Sequence, residues 1–232
     1  MIYFTGDIHG DTERLSRANL NMMKSGDTLI VCGDFGFIWN NDKSENKIIN
    51  SLSKRNYNIC FVDGIHENFD ILNSLPITEW NGGKVHKISG NIFHLMRGQI
   101  YTIEGKKLFA MGGGEDTDLD LDDEDDISEH KEIPTASELL SGVAAMESCG
   151  YKVDYIVTHE PPATTRDFLL LSENKTLRVT ALGAYLDELS QQTEYSKWFF
   201  GSMHIDKFIS ASQVALFRNI VNAETGMKTK SK

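Results

Sequence analysis

The first third of the chain alternates short apolar runs with amphipathic stretches. IYFT (2–5), TLIVC (28–32) and YNICFV (57–62) are runs of strand length, rich in β-branched and aromatic residues. Between the first two, Leu15, Ala18 and Met22 recur at helical spacing, which predicts a helix within residues 11–23. Between the second and third, Asp42 is followed three residues later by Glu45. That pair predicts a capping box and a helix through about residue 55. Strand, helix, strand, helix, strand implies parallel pairing through crossover connections.

The rhythm changes after residue 80. NGG (81–83) is a turn signal, and KVHKI, NIFHLM, QIYTIE and KKLFAM follow as short runs. They are separated by Ser89-Gly90, Arg97-Gly98 and Glu104-Gly105, each of which reads as a hairpin turn. An antiparallel portion feeding a second sheet is expected. Pro134 opens a predicted helix to about residue 149, since proline fits a first helical turn. VDYIVT (153–158) and KWFF (197–200) read as strands, with a helix over 176–192 between them. FISAS and VALFR predict a closing hairpin, and GMKTKSK a frayed tail. No internal repeat or Pro/Ser linker interrupts the pattern, so 1–232 reads as one domain.

Composition adds three limits. The net charge is −11, but EDTDLDLDDEDD (115–126) alone carries nine acids and no base. The body is therefore nearly neutral, and the acidic segment reads as a solvated loop insert or, alternatively, a cation-attracting lid. Neither suits broad binding to duplex nucleic acid, which wants a basic face. No apolar run approaches the ~18 residues of a membrane span, and MIYFTGDIHG lacks the basic start of a secretory signal. Cys32, Cys60 and Cys149 are an odd set without metal-type spacing, so a reduced, cytoplasmic protein is expected.

The chemistry lies just past the strands. After IYFT come Gly6, Asp7, Ile8, His9 and Gly10; after TLIVC, Gly33 and Asp34; after the third strand, Asp63, Gly64, Ile65 and His66. His159 and Glu160 follow YIVT, and Gly201, Ser202, Met203 and His204 follow KWFF. In sheets built from crossover units, ligands bind outside the carboxyl ends of the strands. A lone Gly-Asp is ordinary turn chemistry, but five strand ends delivering Asp or His are not. His86, His94 and His130 fall outside the pattern and read as structural or surface. A mixed Asp/His set suits Mn, Fe or Zn better than Mg or Ca, and points to metal-assisted hydrolysis.

The ordered set Gly-Asp-Ile-His-Gly (6–10), Gly-Asp (33–34), Gly-x-His-Glu (64–67), Thr-His-Glu (158–160) and Gly-x-x-His (201–204) resembles the calcineurin-like metallophosphoesterases. The resemblance runs from residue 3 to about 206. It implies an α/β fold, a four-layer α/β/β/α sandwich with two mixed β-sheets. It also implies one metal position from Asp7, His9, Asp34 and His204, with Asp34 bridging to a second that includes His159. In such sites two metals ~3.5–4 Å apart activate a hydroxide and clamp a phosphate ester. The resemblance makes His66 the group that protonates the leaving oxygen, a task suited to an imidazole with a pKa of ~6.5.

Two positions depart from the pattern. Position 65 is Ile where the family has Asn, and position 202 is Ser where it has His. Both losses fall on the second metal, so one tightly bound ion is expected rather than two. Glu67, Glu160, Glu115 and Asp116 lie near the site loops; a solvated or helix-capping role is the favoured reading of each, and a carboxylate swinging in as a replacement ligand the alternative. Gly33-Asp34 is followed by FGFIW, without the Asp-Arg-Gly of protein Ser/Thr phosphatases and diadenosine tetraphosphate hydrolases. A generic phosphodiesterase-like branch is favoured. Gly112-Gly113-Gly114 lacks the Lys and helix of a nucleotide loop, so it reads as a strand exit. Three readings stay open: a phosphomonoester or phosphodiester hydrolase with an impaired or mononuclear site, a catalytically inactive pseudo-phosphoesterase that binds or regulates, and a purely structural protein. Four intact first-site ligands argue against the last.

Overall fold

The computed structural model describes residues 1–115, 130–171 and 178–229. The first sheet contains β1 (Ile2–Thr5), β2 (Thr28–Cys32), β3 (Asn58–Val62), β4 (Ile77–Trp80), β5 (Gly83–Ser89), β6 (Ile92–Leu95) and β13 (Val221–Asn222). Its order is β13-β1-β2-β3-β6-β5-β4, parallel from β1 to β6 and antiparallel at both edges. The second sheet contains β7 (Gln99–Ile103), β8 (Lys106–Met111), β9 (Tyr155–Thr158), β10 (Lys197–Phe200), β11 (Lys207–Phe208) and β12 (Gln213–Ala215). Its order is β11-β12-β10-β9-β8-β7, with a parallel centre from β12 to β8.

Side-chain alternation along these strands builds the layers. Phe4, Ile30, Cys32, Cys60 and Val62 of the first sheet meet Leu108, Ala110, Tyr155, Val157 and Phe199 of the second in one buried core. Phe4 and Phe199 stack at 4.0 Å across it. The other face of the first sheet, with Tyr3, Leu29, Val31, Ile59 and Phe61, is covered by Ile49 and Leu52 of α1 (Lys43–Leu52) and Leu72 of α2 (Phe69–Ser74). The outer face of the second, with Phe109, Met111, Ile156, Trp198 and Phe200, is covered by Met146 of α3 (Ala136–Ser148) and Leu182, Leu186 and Leu189 of α5 (Ala181–Gln192). With α4 (Ala163–Leu170), packed beside α5, this is the four-layer α/β/β/α sandwich. Both faces of each central strand are buried, which is why they read as continuous apolar runs.

Several expectations are corrected. Residues 11–23 form successive turns, not a helix. Leu15, Leu20 and Met23 are buried but Ala18 is exposed, so the helical face is broken. Arg14 instead spends its guanidinium on the carbonyls of Asp7, Gly6 and Phe217. Asp42 does cap α1, but Glu45 reaches back past it to the backbone of Trp39, Asn40 and Asn41. Arg97-Gly98 is not a hairpin: β6 and β7 lie in different sheets, and the chain crosses between them here. Asn81-Gly82 and Glu104-Gly105 both take positive φ at each residue, as tight hairpin turns require. The cap of α3 is Thr135 in a full box with Glu138, one residue past Pro134. The tail is not frayed through Thr229, whose N–H bonds Ile220 O at 2.8 Å. α2, β4, β13 and α4 have no counterpart among the elements expected from the sequence. The acidic segment beyond Glu115 and the expected helix start at 176 lie outside the described residues.

Candidate metal centre

The parallel centre of each sheet brings strand ends to one rim, and the Asp and His residues meet there. Asp7, after β1, is fully buried. His204, after β10, places Nε2 3.1 Å from Asp7 Oδ2, and His9 Nε2 lies 3.2 Å from His204 Nε2. Asp34 Oδ2, after β2, is 3.7 Å from His9 Nε2. These are the four residues that the motif order implied for one position. Asp7, His9 and His204 form one group whose ligand atoms all lie within 4.8 Å of one another; His9, Asp34 and His66 form another. Asp7 Oδ2 is buried and has no hydrogen-bond partner among the described residues. An orphaned carboxylate oxygen facing two imidazole nitrogens fits a cation, which would satisfy all three.

The backbone is bent to achieve this. His9, Asp34, Ser202 and His204 all take φ between 47° and 58°, a region that L-residues seldom occupy. Glycines permit close approach where side chains could not fit. A Cβ at Gly33, whose φ is +101°, would lie 2.0 Å from His159 Nδ1, and one at Gly64 would lie 2.0 Å from Asp34 Oδ1.

His66 is exposed, and its ring is held by Asp34. His66 N donates to Asp34 Oδ1 at 2.8 Å, and His66 Nδ1 is 3.0 Å from Asp34 Oδ2. The carboxylate thus selects the tautomer with the proton on Nδ1. Burial alone would raise the Asp34 carboxyl, but His159 and the two bonds from His66 outweigh it and hold it below its ordinary value. His9 is lowered, first by burial and then by His204 and His66, against the pull of Asp34 and Asp7. A neutral imidazole is the form that ligates.

His159 is buried between Cys32 O, 3.1 Å from Nδ1, and Asp34 Oδ1, 4.0 Å from Nε2. Burial opposes its charge, yet Asp7, Asp34 and Glu160 raise it to about 10. Ligation at Nε2 requires the neutral ring, so a cation there would compete with that proton. The two altered positions are also in place. Ile65 is half-buried at the end of β3, and Ser202 N donates to Asp7 Oδ1 at 3.2 Å.

The nearby acids are not solvated. Glu67 accepts from Phe35 N at 2.7 Å, and burial pushes its carboxyl up to about 8. Glu115 pairs with Arg178. Glu160 Oε1 accepts from Ser202 Oγ at 2.9 Å. Asp116 lies outside the described residues. Gly112–Gly114 is a strand exit, with Gly113 N bonded to Asp63 O.

Sequence reasoning missed the support behind β3. Asp63 accepts from Arg97 Nε and Nη2 at 2.9 and 2.6 Å and lies 2.9 Å from His94 Nε2. Burial would raise its carboxyl, but Arg97 and His94 hold it well below the usual carboxylate range. An ionised Asp63 only accepts, so His94 carries its proton on Nε2 and takes one at Nδ1 from His86 Nδ1, 2.9 Å away. His86 is held down to about 4, first by burial, then by His94, against Asp63. From about pH 6.5 down to about pH 4 the unfolded chain binds a proton that the folded chain refuses, so stability falls with pH across that window. Urea unfolding of His86→Asn should lose about 1–3 kcal/mol less than the unaltered protein between pH 7 and pH 4.5. An unchanged slope would show that His86 is not the refusing group. His86 and His94, structural or surface on sequence alone, are both buried in this network. Their signal was two histidines inside strands, with Asp63 and Arg97 just past strand ends and no motif to group the four.

Two mixed sheets with an Asp/His cluster on their shared rim define the metallohydrolase class of two-sheet sandwiches. The chain belongs to the calcineurin-like phosphoesterase family, whose model matches residues 1–216. That family hydrolyses phosphoesters and uses divalent metals. The fold is similar to the crystal structure of TT1561 from Thermus thermophilus, with a TM-score of 0.52 and 12% identity over 97% of this chain and 95% of that one. No curated protein matches the chain significantly. No helix among the described residues is long and apolar enough to cross a membrane.

Proposed function

We propose that the protein hydrolyses a phosphomonoester or phosphodiester at the β-strand rim, with Asp7, His9, Asp34 and His204 holding one divalent cation, Mn, Fe or Zn, more tightly than any second. The observation that carries this is the buried Asp7 Oδ2, without a hydrogen-bond partner among the described residues, 3.1 Å from His204 Nε2 and grouped with His9 within 4.8 Å. A bound divalent ion would supply a nucleophilic hydroxide near neutral pH and neutralise phosphate charge. Asp34 fixes His66 through two bonds, and among the described residues Nε2 makes no hydrogen bond. In the imidazolium form, with Nδ1–H still held by Asp34, His66 delivers its Nε2 proton to the departing oxygen and returns to the Nδ1–H tautomer. Arg14 holds the Asp7 backbone, and Phe217 stacks on His204 at 4.7 Å, so both ligands are oriented before a metal arrives. Buried Cys32 and Cys60 suit a reducing, cytoplasmic setting.

A second reading, a pseudo-phosphoesterase that keeps one cation as a strut, is favoured by Ile65 and Ser202. Turnover separates the two. With added manganese, a generic phosphodiester should be cleaved, and His66→Ala should lower kcat by about 10²–10⁴ for alkyl leaving groups. The loss should shrink for p-nitrophenolate, which leaves without a proton. No turnover of either ester by the unaltered protein would leave the pseudo-enzyme reading standing.

A further inference from the structure

The two departures from the motif converge on one side chain. Ser202, after β10, donates its hydroxyl to Glu160 Oε1 at 2.9 Å. Ile65, after β3, meets the same carboxylate across Gly114. A Cβ on Gly114 would lie 2.5 Å from Ile65 Cγ2 and 3.1 Å from Glu160 Oε1. Positions 65 and 202 come from different sheets, yet both border the space that Glu160 occupies. Glu160 follows His159 directly, so one loop delivers an imidazole and a carboxylate together.

We propose that Glu160 replaces the ligands lost at positions 65 and 202, so that Asp34, His159 and Glu160 form a second, weaker position selective for a hard divalent cation such as Mn or Mg. This rests on the metal-dependent reading above. Three observations support it. His159 Nδ1 is tied to Cys32 O, and among the described residues Nε2 makes no hydrogen bond; it is turned towards Asp34. Among the described residues Glu160 has no ion pair within 4 Å; His159, Arg166 and Asp7 act on its charge from further away. Partly sheltered carboxylates without a cation are costly, and a bound ion removes that cost. Ser is also smaller than His, which leaves the room that Glu160 fills.

The exchange alters the chemistry of the position. An amide and an imidazole are neutral, and the imidazole is a nitrogen donor. A carboxylate adds one negative charge and a hard oxygen. Oxygen-rich sets suit Mn and Mg, whereas nitrogen-rich sets suit Zn. The simpler alternative is that Glu160 merely braces the Ser202 loop.

Manganese titration followed by electron paramagnetic resonance, with calorimetry alongside, separates these readings without measuring turnover. The unaltered protein should show one tight and one weaker class. Glu160→Gln keeps an acceptor for Ser202 but loses the charge, so it should raise the weaker Kd at least about tenfold and leave the tight class unchanged. Ser202→Ala frees Glu160 and should keep the weaker class. Circular dichroism checks that both variants are folded. A single class up to saturating manganese, two classes unchanged in Glu160→Gln, or equal losses in Glu160→Gln and Ser202→Ala would overturn the proposal. Absence of any bound manganese would overturn the metal-dependent reading itself, a distinguishable failure.

Discussion

Ile65→Asn combined with Ser202→His should raise kcat/KM for a phosphodiester in manganese by about 10²-fold or more, close to 2.7 kcal/mol of transition-state stabilisation. The backbone is already shaped for it. Ser202 keeps a φ of 58°, beside His204 at 49°, so a histidine placed there starts from the same loop conformation. Asn at 65 would set a side-chain oxygen where a hydrocarbon now borders Glu160. The single changes should each give less than half of the gain in free energy, because both complete one position and act as a unit. Metal content after desalting should rise from one equivalent towards two. If the rate stays flat or falls while two ions are held, Ile65 and Ser202 belong to a reworked mechanism, and the impaired-site reading is wrong.

Asp34→Asn should have the opposite effect, lowering kcat by about 10³-fold or more and releasing the tight ion. One carboxylate touches every part of the centre. Its Oδ2 is 3.7 Å from His9 Nε2 and 3.0 Å from His66 Nδ1, and its Oδ1 receives His66 N and faces His159 Nε2. Asn keeps the volume but turns one acceptor into a donor, opposite either the His66 N–H or its Nδ1–H. It also removes the charge that a shared cation position needs. The thermal stabilisation that manganese confers should vanish with it, because binding to the folded state alone raises stability. Stability without added metal should also fall, by about 1–3 kcal/mol, since Asp34 faces buried His159 and accepts two bonds from His66. Activity within tenfold of the unaltered protein would remove Asp34 from the centre.

The contrast between these variants bears on what the chain reveals without its fold. Asp7, His9, Asp34, His66, His159 and His204 were legible because each follows an apolar run, and the carboxyl ends of parallel strands are where such folds place ligands. Ile65 and Ser202 were legible as departures only because the resemblance assigned those positions a ligand. Glu160 was legible only as one of four nearby acids, without a reason to prefer it. Beside His159 it is one acid among several, and nothing local says that it meets Ser202, forty-two residues away. The turns at 11–23 were misread for a similar reason. Leu15, Ala18 and Met22 have helical spacing, but Arg14 satisfies the carbonyls of Gly6, Asp7 and Phe217, and those partners are set by the sheet and by the far end of the chain.

Local sequence was enough for the central strands, the Gly-Asp and His residues at their ends and the family, since apolar runs of strand length and left-handed turns are local properties of the chain. It took the assembled fold to establish that Arg97 and Gly98 pass from one sheet to the other, that Asp63 is pinned by Arg97 and His94, and that Glu160 fills the space between Ile65 and Ser202. Each of these depends on contacts between segments distant in sequence. Such contacts are selected by how two sheets bury one core, and no short window of sequence carries that information.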